Sequence, residues 1–220
     1  LASGHWVKVK ISKSGVYKIT YAELEKMGFG NPAKIHVYGY GAEGLSQNLN
    51  AETYTDDIPE VNVYSGSDFI LFYGQGPVKW SLNSNWTSGH SCFPYTFTKN
   101  PYSNYGYYFL SESDSPRSQI SASDDVDGAA TDTVTSYEAL DLRMPETVNI
   151  AETGNCWYGD PITQSGSKYY SFTFDNMIAD STASARIINA AAASTSGSFT
   201  FSSGNSEKTT AVSSSISGGV

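Results

Sequence analysis

Period-two alternation of apolar and polar positions dominates the chain and predicts strands. His5-Trp6-Val7-Lys8-Val9-Lys10-Ile11 places Val7, Val9 and Ile11 on one face and the lysines on the other. Ser12 to Gly15 reads as a turn, and Val16-Tyr17-Lys18-Ile19 as a returning strand, so an opening hairpin is expected. One helix follows. Thr20 and Glu23 have the spacing of a capping box, Leu24 and Met27 mark a buried stripe, and Gly28 supplies a left-handed stop. Strands are expected again at Lys34–Tyr38, Ile58–Tyr64, Tyr95–Thr98 and Tyr105–Leu110. Asp68 to Tyr73 is nearly all apolar and reads as a central strand buried on both faces. Gly74-Gln75-Gly76-Pro77 breaks it, and Asn100-Pro101-Tyr102-Ser103 is a turn with Pro at its second position.

From Ser111 to Thr133 the period is lost and acidic and Ser residues accumulate, as in a long surface loop or linker. Strands are then expected at Val134–Leu142, Lys168–Phe174, Ala185–Ala190 and Ser198–Phe201, while the small residues Ala190–Ala193 read as a strand end. The Ser- and Gly-rich tail Ser202–Val220 has little to pack, and the chain is expected to stop inside a second β-domain. The fold expected is mainly β: a β-rich domain with one short helix over 1–112, a linker or loop over 113–133, and part of a β-sandwich over 134–220.

The 220 residues suffice for a real core. Thirteen basic against 22 acidic residues give a net charge of −9, which repels phosphate backbones and argues against a nucleic-acid partner. No apolar run reaches the ~18 residues of a membrane-spanning helix. The start at Leu1 suggests a mature protein after signal removal or an artificially trimmed chain, and the Tyr-, Ser- and Gly-rich composition suits an extracytoplasmic β-protein. Cys92 and Cys156 fit either one disulfide or two free thiols.

Chemistry-bearing motifs are sparse. His90-Ser91-Cys92 would sit about 6–7 Å apart along a strand, too far for a nucleophile–base pair. His5, His36 and His90 are too scattered for a zinc site. Asp56-Asp57 and Asp124, Asp125 and Asp127 are acidic but lack the spacing of a calcium loop. Asp56, Asp57 and Glu60 are the first carboxylates to test for an unrecognised hydrolase. Gly39-Tyr40-Gly41-Ala42-Glu43-Gly44 has dinucleotide-like spacing without the helix such a site needs, and Gly74-Gln75-Gly76-Pro77 lacks the Lys of a phosphate loop. No catalytic set, cofactor or metal is therefore expected. Trp80, Trp86, Tyr95 and Tyr102 gather around loops, either as a partner- or sugar-binding surface or as a satellite packing cluster. Asn85-Trp86-Thr87 matches an N-glycosylation triplet, a pattern common by chance.

Several phrases join in collinear order. They are Trp6-Val7-Lys8-Val9, Ser14 to Tyr21, Val37-Tyr38-Gly39-Tyr40-Gly41, Asp57 to Val61, Asp68 to Trp80, and Asn100 to Leu110. In this order the chain resembles the N-terminal region of PorU-type proteins, gingipain-like sortases of the type IX secretion system in Bacteroidetes. Glu152 to Asp160 is similar to a further family segment, although that segment has an Arg and an acidic residue where this chain has Asn155 and Cys156. The resemblance runs from about Trp6 to Phe174.

It implies a location on the external face of the outer membrane and a caspase-like cysteine peptidase domain downstream. That domain would cleave sorting domains from secreted cargo and transfer the new carboxyl end to an anionic lipopolysaccharide. None of its catalytic motifs lies in these residues, and neither Cys92 nor Cys156 matches a catalytic position. The chain is thus expected to be a non-catalytic module that positions the peptidase and docks secretion components or cargo. A carbohydrate-binding or adhesin module, with a glycan as partner, is the alternative.

Overall fold

The computed structural model of the chain describes residues 3–42, 44, 57–83, 94–121, 132–150, 152, 157–192 and 195–212. These form two compact units, Leu1–Gly128 and Ala129–Val220. The fold is mainly β, with a single α-helix among the described residues.

In the first unit the strands are β1 (Trp6–Ile11), β2 (Gly15–Thr20), β3 (Ile35–Gly41), β4 (Glu60–Val61), β5 (Val63–Ser65), β6 (Phe69–Gly74), β7 (Val78–Leu82), β8 (Tyr95–Lys99) and β9 (Gly106–Glu112), and helix α1 is Tyr21–Lys26. One sheet has the order β1-β9-β3-β4, a second β2-β6-β5, and β7 pairs with β8 alone. All of these pairs are antiparallel.

The core lies between the first two sheets. Ile11, Ile35, Val37, Tyr108 and Leu110 from one meet Ile19, Val63, Ile70 and Phe72 from the other, with Leu24 and Phe29 closing one side. Phe72 sits at the centre, with Tyr108 edge-on to it at 5.3 Å between ring centroids and Tyr17 stacked at 5.9 Å. Burying such rings is the main term holding two small sheets together.

The capping box forms as the Thr20/Glu23 spacing predicts. Glu23 N donates to Thr20 Oγ1 at 3.3 Å, and Thr20 N donates to Glu23 Oε2 at 2.8 Å. Leu24 is fully buried, and Gly28 ends the turn at φ 95°.

Three expectations for this unit are corrected. β1 and β2 do not form a hairpin. β1 runs six residues in register with β9, and β2 six with β6. Alternation fixes which face is apolar but not which strand is the neighbour, and here Ser12–Ser14 carries the chain from one sheet to the other. Ile58–Tyr64 is not one strand either. It switches sheets at Asn62, so that β4 pairs with β3 and β5 with β6. β6 is central in its sheet but covered on one face only: Ile70 and Phe72 are buried, whereas Tyr73 is 53% exposed.

The described part of the Ser111–Thr133 stretch is strapped to the first unit. Arg117 donates to the Ile35 carbonyl at 2.7 Å and to the Ser65 hydroxyl, linking both sheets. Ser118 N donates to Glu60 Oε1 at 3.1 Å, and Ile120 N to the Val63 carbonyl at 3.0 Å.

In the second unit β10 (Gly197–Ser203) and β11 (Ser206–Val212) form a hairpin with seven paired positions around Gly204, at φ 56°. A paired strand thus occupies part of the tail expected to have little to pack. The strands expected at Val134–Leu142, Lys168–Phe174 and Ala185–Ala190 are not formed among the described residues. Their alternating apolar residues find no neighbouring strand, and Tyr169 is 94% exposed.

Phe72→Ala should lower stability by about 3–5 kcal/mol in urea unfolding, because the cavity lies where both sheets meet. A second expectation concerns acid. The Thr20 backbone and side-chain hydrogen bonds hold the Glu23 carboxyl below the usual carboxylate range. The cap's contribution is therefore present above the ordinary glutamate pKa and is lost as pH falls through the lowered one. Comparing acid unfolding of the parent chain and Glu23→Gln should show a shallower pH dependence in the variant.

Candidate functional site

A groove of about 500 Å³ opens where the β7–β8 ribbon leaves the sandwich. Its lining comes from three places: Ala42 and Gly44 after β3, Gln75-Gly76-Pro77 between β6 and β7, and Lys79, Ser81 and Thr98 to Tyr102 from the ribbon and its following turn. The volume falls within the range of small-ligand sites, ~300–1,000 Å³.

The floor is set by a knot of hydrogen bonds around Gln75. Its N–H donates to Tyr108 Oη at 2.7 Å, and its carbonyl accepts from Ala42 N at 3.0 Å. Ser14 Oγ accepts from Gln75 Nε2 at 3.1 Å and Gly76 N at 3.0 Å, and donates to the Val78 carbonyl at 3.3 Å. This close approach needs glycine. A Cβ on Gly76 would lie 2.5 Å from the Lys13 carbonyl carbon, and one on Gly41, at φ 73°, 2.7 Å from both Gln75 Cβ and Tyr108 Oη. Burial pushes the Tyr108 phenol above its ordinary pKa, so it stays protonated across neutral pH. The far wall is fixed by Asn100, whose Nδ2 donates to the Ala42 carbonyl at 2.9 Å and whose Oδ1 accepts from Tyr102 N at 2.8 Å and Ser103 N at 3.2 Å.

The four aromatic residues singled out in the sequence separate. Tyr102 stands at the groove rim, 73% exposed. Trp80 pairs with Phe97 across the ribbon and meets it edge-on at 5.6 Å, on the face opposite Lys79 and Ser81. Tyr95 shares that face, paired with Leu82. Trp86 lies outside the described residues, as do His90, Cys92, Cys156, Asp56, Asp124, Asp125, Asp127 and the Asn85-Trp86-Thr87 triplet. The lysines and hydroxyls of the groove had no motif to reveal them; only the register of β7 on β8 brings them together.

The remaining polar candidates are held by local contacts. His36 is buried, with Nδ1 donating to Glu60 Oε1 at 2.7 Å. His5 Nε2 lies 2.9 Å from the Met27 carbonyl oxygen, and Asp57 Oδ1 accepts from Ile58 N at 2.8 Å. Gly39 and Gly41 lie at a bulge at the end of β3, and most of the stretch that would form a helix after them lies outside the described residues. In the second unit Arg143 grips Asp160 through Nε at 2.9 Å and a terminal nitrogen at 3.1 Å, which holds the Asp160 carboxyl below its usual range. Among the described residues no three His, Cys, Asp or Glu side chains gather as metal ligands. The described groove lining contains no carboxylate, imidazole or thiol. It contains ammonium groups, hydroxyls and one phenol ring, groups that can hydrogen-bond or stack on a polar ligand or peptide.

Tyr108→Phe should leave Gln75 N–H buried without its acceptor and cost about 1–3 kcal/mol in urea unfolding. Amide exchange at Gln75 and Gly76 should speed up beyond that at β9; unchanged protection there would count against the knot as the support of the groove floor.

No family model matches the chain. No curated protein matches it. Among solved structures it is similar to dimeric latent PorU from Porphyromonas gingivalis, 37% identical over 72% of this chain, with a TM-score of 0.57. This chain covers 14% of that chain. At that identity the likeness reaches beyond fold, and it supports a PorU-like domain and nothing narrower.

Proposed function

We propose that this chain is a non-catalytic module of a gingipain-like sortase of the type IX secretion system. In this reading it holds the peptidase domain in position on the external face of the outer membrane and docks secretion components or cargo. The observation that carries the reading is the 37% identity to PorU over 72% of the chain. The collinear phrases from Trp6 to Leu110 lie on the elements that build the sandwich and the groove. The described groove lining contains no carboxylate, imidazole or thiol. No helix among the described residues is long and apolar enough to cross a membrane.

A second reading is carbohydrate binding. It is favoured by Tyr102, an exposed ring beside Ser81, Thr98 and Lys79 at the groove. Rings of this kind stack on sugar faces while neighbouring donors bind hydroxyls.

The test is genetic. The reading frame beyond Val220 should continue into a peptidase domain, and deleting this module in frame should leave secreted cargo with its sorting domain attached. The isolated peptidase should still cleave a short peptide substrate. Normal cargo processing by the deletion strain would overturn the proposal. Glycan-array binding abolished by Tyr102→Ala would move the carbohydrate reading ahead of it.

A further inference from the structure

The outer faces of the two sheets are finished differently. On the first sheet two outward lysines of β1 lie over tyrosines at the start of β9 and just before it. Lys8 lies over Tyr107 at 3.9 Å and Lys10 over Tyr105 at 4.2 Å. Each lysine stem covers an aromatic face and carries a charge into water. The second sheet carries less of this dressing. Every residue of Phe69-Ile70-Leu71-Phe72-Tyr73 is apolar or aromatic, and only Ile70 and Phe72 are used by the core. The outward apolar set is Val16, Phe69, Leu71, Tyr73 and Tyr64, adjacent through the pairings Val16 with Tyr73 and Tyr64 with Leu71, with Lys18 and Thr20 on the same face. Val16 is 69% exposed, Tyr73 53% and Tyr64 37%. Lys18, 4.1 Å from the Phe69 ring, is the one cation over this face among the described residues. An antiparallel sheet that turns one side to water normally carries polar residues there. A strand apolar on both sides is built to be covered twice.

We infer that the outer face of the β2–β6–β5 sheet is a docking surface for a later domain of the same polypeptide. The inference rests on the proposed reading of the chain as one module of a longer sortase. Size argues for a tethered occupant. Five outward apolar side chains are a fraction of the ~20–30 residues per side that a stable complex of free proteins uses. A tethered domain needs far less, because linkage replaces the entropic cost of association with a high effective concentration. The relative's chain length points the same way: this chain covers 14% of PorU, so a protein of that kind has ample further chain to supply the cover.

Hydroxyl-radical footprinting of the 220-residue chain and of the full-length protein would test this. Tyr73 and Tyr64 should react freely in the short chain at low concentration and show a several-fold drop in the full-length protein. The double variant Val16→Lys, Tyr73→Lys should restore Tyr64 reactivity in the full-length protein and quicken its proteolytic separation from the later domain. The same variant in the 220-residue chain should unfold at an unchanged temperature, which separates lost docking from lost folding. Equal reactivity in both proteins would overturn the inference. So would protection in the short chain alone, whether from its own loops or, if it grows with concentration, from a second copy. A full-length protein with a peptidase domain and a reactive Tyr73 would sink the docking while leaving the sortase reading standing. Protection of Tyr73 by a later domain of another kind would do the reverse.

Discussion

The close approach of Gln75 to three separate segments is the constraint on which the first unit depends. Its backbone N–H and carbonyl are taken by Tyr108 and Ala42, and its side chain by Ser14. These residues belong to the two sheets and to the corner between β1 and β2, so one residue joins the ends of β3, β6 and β9 to that corner. Such a junction is possible only where neighbouring backbones lack side chains, which is why Gly41 and Gly76 stand there. The groove follows from it: with Gln75 fixed, Pro77 and β7 must leave the sandwich at that point, and the ribbon forms one wall.

Around this junction the two sheets are tied by burial on one side and by the strap on the other. Phe72 and Tyr108 carry the packing. Arg117 spans the gap by donating to Ile35 in one sheet and Ser65 in the other, while Glu60 accepts from both His36 and Ser118. The polar strap thus lies where β4 gives way to β5, the place at which one continuous segment changes sheets. Because a strand that changes sheets leaves backbone groups without a ladder, side-chain and strap contacts at this position satisfy them.

What could be read from the sequence follows from range. The helix cap was legible because Thr20 and Glu23 are three residues apart and their bonds are local. The exposed Tyr102 was legible from the Asn100-Pro101 turn. Trp80 was not, because its partner Phe97 is fixed by ribbon register, and that register hides from any reading of one strand at a time. The absence of a β1–β2 hairpin, the sheet switch at Asn62 and the use of Gly74-Gln75-Gly76 as a junction all depend on partners in other segments or on a choice between equally apolar neighbours. The all-apolar run of β6 predicts cover on both faces. The sequence stated a requirement there, and the residues described meet half of it.

That half-met requirement bears on what kind of object the chain is. Lysines sit where aromatic rings would otherwise meet water, as Lys8 and Lys10 do on the first sheet. With a net charge of −9 the chain has few cations to spend, and it places two of them on the first sheet's outer face and one on the second's. Selection for a free-standing soluble domain would favour polar residues at Val16 and Tyr73, since neither contributes to the core and a change there disturbs no packing. Retaining apolar side chains at both positions makes physical sense if another surface occupies that face. In the proposed reading, the polar groove and the apolar sheet face are the two surfaces through which such a module would meet its neighbours.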